Sequence, residues 1–391
     1  MRKVPLALGT AASATAGLLA FGTTATATAA QASSHHATYV SPHGHSTASG
    51  RSCGSARFAS INAAVAATGP GGTVVVCRGT YHEQVVVTKP LHLAGQHGAL
   101  INPAGQKPLK VGSQTLPGSI GVGVLGTSQV RVSGLTVEHA GFDAILVAAS
   151  SHVRVSGNVL RHNGDVGVDL NGSSWSAATG NVSRYNTGGG FLVADDIGPN
   201  GHNVISWNVA SDNRGGCGVI LAGHTTAGVR DNLVAHNLVT YNGTLKSSGG
   251  GAGVVIATAV PRETVAGNTV TGNTIYGNGL AGVAIHAHLP GQNLNGNRII
   301  GNTIGTNNTL GDPIDLSTSP SSTKNVAIAD RQTTGILVGS ASPIRVQISG
   351  NSISRNHYGI FLEGTGHVVH AWLYGNHFHH VFIPVKQVIA P

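Results

Sequence analysis

From Gly157 to Leu170 the chain reads Gly157-Asn158-Val159-Leu160-Arg161-His162-Asn163-Gly164-Asp165-Val166-Gly167-Val168-Asp169-Leu170, and this phrase recurs as far as Asn376. Its parts are an Asn, an apolar residue, a second Asn five positions on, a short Gly-rich turn, and a Gly followed by apolar residues at alternate positions. Further copies open at Asn181, Asn208, Asn237, Asn273, Asn302 and Asn351, with periods of 23 to 29 residues dominating. Strict alternation in Gly190-Phe191-Leu192-Val193 or Gly282-Val283-Ala284-Ile285 identifies strands, not helices. A unit this short cannot bury its apolar face alone, so successive units must stack. Coils pairing as parallel strands about 4.8 Å apart give some ten coils in a rod roughly 50 Å long. Val168, Phe191, Val219, Val254, Val283 and Ile360 are expected to form one inward column, and Leu170, Val193, Leu221, Ile256, Ile285 and Leu362 its neighbour. The fold class is therefore all-β, a parallel β-helix. Two columns of Asn at the turns suit left-handed backbone angles and side-chain amide ladders along the rod.

Outward from the repeat, Phe58, Ile61 and Val65 among alanines predict a short amphipathic helix that caps the solenoid before the turn Gly69-Pro70-Gly71-Gly72. Cys53 precedes it and Cys77 ends the strand Thr73-Val74-Val75-Val76, so these two are expected to form a disulfide; Cys217 is expected to be a buried, inert thiol pointing inward. Arg2 and Lys3, the apolar stretch Val4 to Phe21 and Ala27-Thr28-Ala29 read as an export signal over residues 1–30. Residues 31–52 read as a low-complexity linker and 53–391 as one β-helix domain, with its cap at 53–72, coils over 73–391 and loop excursions at 241–253 and 308–334. At the far end Trp372, Phe378 and Phe382 are expected to cover the last coil.

The composition includes 57 Gly, 21 His, only 3 Trp and 9% charged residues, which leaves little material for long helices. The formal charge of +8 favours an acidic partner such as a uronate polymer, while the lack of a basic run interleaved with aromatics argues against nucleic acid. No window after the signal reaches the length of a membrane-spanning helix. The expectation is a secreted monomer that acts on extracellular polysaccharide and needs no cofactor.

The run from Phe58 to Val65, then Gly72-Thr73-Val74-Val75-Val76, Gly79-Thr80-Tyr81-His82-Glu83 and Lys89-Pro90-Leu91-His92-Leu93-Ala94-Gly95, closely resembles the opening of pectin lyase-like right-handed β-helix proteins. With the Gly-Asn repeats the resemblance covers residues 53 to 385. It implies a right-handed solenoid, and the family includes lyases, hydrolases, esterases, epimerases and proteins without known catalysis.

The outward strand positions carry the candidate chemistry. Asp169 leaves its strand outward, Asp195 and Asp196 follow the strand one coil on, and His224 takes the place of Asp196 in the next coil. Such spacing brackets the separation of about 5 to 9.5 Å at which paired carboxylates hydrolyse glycosidic bonds, and a neighbouring His can move protons. The order Asp, Asp-Asp, Gly-His on successive coils is similar to polygalacturonase-like glycoside hydrolases. It departs from them where Gly223-His224 lacks the second Gly, where Asp169-Leu170-Asn171-Gly172 only loosely echoes the Asn-Thr-Asp element, and where no Arg-Ile-Lys follows. A lyase would need an Arg or Lys base and clustered carboxylates for calcium, and too few acids are present. Motifs of alginate epimerases and pectin esterases are missing as well. His286, His288 and Lys246 are candidate substrate-binding residues, and His286-x-His288 lacks the third ligand that a metal site requires. The competing expectation is a non-catalytic structural or adhesive solenoid, which would scatter its carboxylates instead of clustering them within about two coils, and a polysaccharide lyase is the second alternative.

Overall fold

The computed structural model describes residues 37–112, 114–258, 260–312 and 330–390. The export signal expected at 1–30 and the middle of the excursion at 308–334 lie outside them. The coils build three parallel sheets of 12, 11 and 11 strands, with every neighbour in each sheet contributed by the next coil. One turn of the solenoid runs from a strand of the first sheet (Ala177–Thr179) to the second (Val182–Arg184) and the third (Gly189–Ala194). It then re-enters the first sheet at Val204–Ser206. The result is the parallel β-helix that the repeat predicts, right-handed as the family resemblance implies.

The register in the third sheet aligns Val168, Phe191, Val219, Val254 and Val283 on successive coils, and Leu170, Val193, Leu221, Ile256 and Ile285 two residues on. All are fully buried. The same two columns also take in Ile336 and Val338 on the far side of the long excursion.

At the corners stand three asparagine ladders, one more than the two expected. The unforeseen ladder runs Asn203, Asn232, Asn268, Asn297, and each amide donates to the next carbonyl oxygen at 3.0 to 3.1 Å. Immediately before many ladder positions the backbone turns left-handed, as at Trp175, His202, Trp207, His236, Tyr185 and Tyr241. Their exposed rings stack between coils, Trp175 on His202 at 4.3 Å and Trp207 on His236 at 4.5 Å.

The cap is a helix at Ile61–Ala67, started by the Ser60 hydroxyl, which accepts from the Ala63 N–H. Cys53 and Cys77 are joined in a disulfide. Three expectations change here. Thr38–Val40 is already a strand of the first sheet, paired with Thr73–Val76 inside the stretch read as a linker. Cys217 packs in an apolar cluster on the outer face of the third sheet with Ile220 and Val255, because its strand begins before the inward alternation is established. Phe378 packs on the core, but Trp372 and Phe382 stay largely exposed and do not cover the last coil. No helix among the described residues is long and apolar enough to cross a membrane.

Candidate active site

The candidate cluster forms on the outer face of the third sheet, where the side chains of Asp169 and Asn171 project two residues apart along one strand. The next coil brings Asp196 beside them, and the coil after that brings His224. The Asn171 Nδ2 donates to Asp169 Oδ2 at 3.2 Å and to Asp196 Oδ2 at 2.8 Å, so one amide bridges the two carboxyl groups, whose facing oxygens are no more than about 6 Å apart. The Asn171 Oδ1 in turn accepts from the Ile197 N–H at 3.1 Å, which fixes the amide's orientation. The His224 Nδ1 lies 2.9 Å from Asp196 Oδ1.

Two further acids, Asp143 and Asp165, precede the strands of the same face; Asp143 is fully buried and Asp165 partly so. The sequence reading passed over both. The available signal was an acid just before a buried strand on consecutive coils, Asp143 ahead of Ile145–Ala148 and Asp165 ahead of Val166–Asn171. Asn171 was read only as part of a loosely matching motif.

Burial separates the protonation behaviour of these groups. A small hairpin, Lys110–Val111 against Gln114–Thr115, lies beside this face, and Val111, Leu116 and Ile120 pack there on Leu146 and Ala148. Desolvation pushes Asp169 up to about 8, with the charges of Asp196 and Asp165 adding to it and the Asn171 hydrogen bond opposing it. Desolvation, then the neighbouring Asp169 and Asp165, hold Asp143 well above the usual carboxylate range. Asp165 is raised by burial. For Asp196 burial works upward but loses to the hydrogen bonds from His224 and Asn171, and its carboxyl is held below the usual value. The hydrogen bond to Asp196 raises His224, against a smaller desolvation effect and aided by the charges of Asp196, Asp195 and Glu263. A neutral carboxyl, an ionised carboxylate and an imidazole biased toward its cationic form are therefore held side by side.

The structure brings together three of the four residues expected to be catalytic. Asp195 departs from them: it turns inward and is 1% exposed. Its Oδ1 accepts from the N–H groups of His224 and Thr225 at 2.7 and 3.1 Å, and its Oδ2 from the Thr225 hydroxyl and the Gly228 N–H at 3.0 and 2.7 Å. Four donors saturate it, and its role is to fold the turn that presents His224. Asp169, only 2% exposed, forms the floor of the groove, while Asp196 and His224 are its accessible rim. The substrate-binding candidates are not gathered at this rim. His286 sits two coils beyond His224 in the third sheet and pairs edge to face with His288 at 5.4 Å. Its Nε2 lies 3.4 Å from Asp312. Lys246 stands exposed on a 3-10 turn, Lys246–Ser248.

Fold and groove together define a right-handed β-helix with an acid-base cluster on the outer face of its third sheet. The chain matches the family described as "Periplasmic copper-binding protein (NosD)" over residues 112–309 and again over 241–386, and it belongs to that family. No curated protein matches it. Among solved structures it is similar to the A-module of the mannuronan C-5 epimerase AlgE4 of Azotobacter vinelandii, at 17% identity and a TM-score of 0.52, covering 81% of this chain and 89% of that one. It is similar to PfbA, a surface adhesin of Streptococcus pneumoniae, at 13% identity and a TM-score of 0.51, covering 84% and 86%. The Agl-KA catalytic domain matches at 12% identity and a TM-score of 0.57, covering 84% of this chain and 63% of that one. At these identities the likenesses show a shared fold.

The family's name raises copper, and the donor set among the described residues does not fit it. No group of three or more His, Cys, Asp or Glu there stands close enough to hold a metal ion. Soft ligands, which copper(I) prefers, are scarce as well. Cys53 and Cys77 are oxidised to a disulfide, and burial pushes the thiol of Cys217 up to about 11. No step below is routed through a metal.

Proposed function

We propose that this is an exported β-helix protein that binds an acidic extracellular polysaccharide along the outer face of its third sheet and hydrolyses its glycosidic bonds. The observation that carries the proposal is the bridged pair at the groove: Asp196 ionised and hydrogen-bonded to His224, and Asp169 kept neutral behind them through Asn171. Environments that push neighbouring titratable groups apart are how one site supplies both an acid and a base. Hydrogen-bonded 2.9 Å apart, Asp196 and His224 lie on one side of a scissile bond and act as one unit: the Asp196 carboxylate holds the His224 imidazolium, which protonates the leaving oxygen while water attacks from the opposite face and gives its proton to solvent. Asp169 and Asn171 position the pair; Asp195 holds the backbone beneath His224. This narrows the acid and base roles expected of Asp169 and Asp195 to supporting ones, since neither offers substrate an accessible oxygen.

The rival reading, an adhesive or structural solenoid, shares its fold with the pneumococcal adhesin, so the fold cannot decide between them. The carboxylates Asp143, Asp169 and Asp196 stand on three successive coils, two coil spacings end to end, and this clustering favours chemistry over a scaffold. The disulfide and the periplasmic description of the family support export. The test is reducing-end release, and absorbance of unsaturated uronate, across a panel of polysaccharides with wild type beside Asp196→Asn and Asp195→Asn/Asp196→Asn. Hydrolysis predicts new reducing ends without the unsaturated product, and a loss of about 100-fold or more in Asp196→Asn. Unsaturated product would mean elimination instead. No product from any polymer, or full activity in Asp196→Asn, would overturn the reading.

A further inference from the structure

A second face of the rod carries a cleft that the acid-base groove does not use. It lies on the outside of the second sheet, over the strands Thr274–Tyr276 and Thr303–Ile304, and has a volume of about 450 Å³. That is within the range of roughly 300 to 1,000 Å³ typical of small-ligand sites. Its construction follows from one asparagine ladder. Asn242, Asn278, Asn307 and Asn356 stack coil on coil, and the residues just before them are Tyr241, Gly277, Thr306 and Arg355. The two outer positions raise large side chains and the two inner ones keep low, so a gap opens between an aromatic wall and a guanidinium. Three coil spacings set those walls roughly 14 Å apart along the rod, room for two or three pyranose rings end to end.

The aromatic wall is shaped by missing side chains. Tyr241, 50% exposed, leans over Gly277, where an added Cβ would meet its ring carbons at 2.6 and 2.7 Å. Tyr276 meets Tyr241 edge to face at 5.6 Å, and an added Cβ on Gly305 would come within 2.9 Å of the Tyr276 Cβ. Both Tyr241 and Arg355 hold left-handed backbone angles, φ 56° in each, which costs a non-glycine residue about 1 kcal/mol. The same angle recurs at His139, His162, Tyr185 and Asp212 on earlier coils, so it belongs to the corner and sets where the two side chains project. The floor is hydroxyl-bearing: Thr274, Thr303 and Thr306 line it, with the Thr306 hydroxyl donating to the Arg355 carbonyl at 2.8 Å. Arg355 is the one charged residue among the described residues lining the cleft, and none of the ion pairs found among them uses it.

We infer that this cleft is a carbohydrate-binding subsite for a uronate-bearing oligosaccharide, with Tyr241 and Tyr276 under the sugar faces, the threonines on ring hydroxyls and Arg355 on a carboxylate. A planar guanidinium matches a carboxylate with two parallel hydrogen bonds, and tyrosine supplies rigid, amphipathic contact area. The inference rests on the polysaccharide reading above for its partner, not on the acid-base groove for its geometry. The site lies on a different sheet, so it anchors a chain instead of cleaving it.

Isothermal titration of the full chain with oligogalacturonate, oligomannuronate, a neutral glucan oligosaccharide and an oligodeoxynucleotide tests it. One of the uronates should bind, and binding should weaken as salt rises. Tyr241→Gly and Arg355→Gln should each lose about tenfold or more in affinity, the scale of one charge-assisted or stacking contact. Tyr241→Gly suits the left-handed backbone and Arg355→Gln leaves its strain as it was, so an unfolding temperature no lower than wild type separates lost contact from lost fold. Binding with no turnover in wild type would sink the catalytic reading and leave this one standing. Absence of uronate binding, equal affinity in both cleft variants, or equal or tighter binding of the neutral glucan or the oligonucleotide would overturn it.

Discussion

Asp169 and Asp196 are the same side chain in two environments joined by one amide, and their contributions to stability carry opposite signs. The folded-state value of Asp169, about 8, lies above its ordinary 3.8, so the folded chain keeps a proton that the unfolded chain releases. Stability from this group is therefore greatest below pH 4 and is lost as pH climbs through 8. Replacing Asp169 with Asn removes that loss. Urea unfolding should show Asp169→Asn gaining at least about 1 kcal/mol on wild type between pH 5 and pH 8.5, and an unchanged difference between the two pH values would contradict the assignment. The Asp196 carboxyl is held low, so its contribution is present above 3.8 and lost as pH falls below it. The raised His224 contributes fully below 6.5 and loses its contribution as pH rises through its folded value. Because His224 and Asp196 are 39% and 35% exposed, the pair is worth only a few tenths of a kcal/mol to the fold. Its consequence for activity is larger: kcat/KM should peak between the two titrations and fall at either side, and a rate that is flat from pH 4 to 9 would rule out the paired roles.

A ladder asparagine satisfies several neighbours at once. Asn237 accepts from the Asn208 N–H and Nδ2 through its Oδ1, and donates from its Nδ2 to the Ile205 carbonyl and to Asn273 Oδ1, all at 2.9 to 3.0 Å. Asn237→Ala would leave those groups buried without partners and should cost about 3 kcal/mol or more in denaturant unfolding, whereas the same change at the exposed Asn295 should cost under about 0.5 kcal/mol. Equal effects at the two positions would show the ladders to be dispensable. Two of the three ladders were legible because Gly-Asn and the second Asn repeat from end to end. The third escaped because its equivalent positions on earlier coils are Val130, Val153 and Ser176, and it becomes asparagine only from Asn203 on. The spacing was nevertheless present, with Asn203, Asn232, Asn268 and Asn297 each standing five residues before a ladder residue already recognised. Thr38–Val40 was hidden for another reason: three residues are too short to show alternation, and only pairing with Thr73–Val76 makes them a strand.

A solenoid puts nearly all its contacts between adjacent coils, which is why its architecture could be read from repeat length and alternation while its site could be read only in part. The groove depends on which outward residues from different coils meet and on what lies beside them. Asp143 becomes a neighbour of Asp169 only across coils, and the hairpin that helps dry that face comes from a segment with no repeat signature. Asp195 and Asp196 are adjacent in sequence, yet pleating sends one into the turn and the other to the rim. The same one-dimensional design makes damage propagate. Ile285→Asp would place an unpaired carboxylate in a fully buried column and should abolish cooperative unfolding under native buffer, while reduction of the Cys53–Cys77 bridge, at a separation of 24 residues, should remove about 3 kcal/mol from the cap end. The central claim, that one rod holds a neutral and an ionised aspartate a bridging amide apart, is tested most directly by titrating the aspartate carboxyl carbons by NMR in the intact chain. The account predicts that Asp169 titrates near 8 and Asp196 below its ordinary 3.8; both groups titrating together near that ordinary value would contradict it.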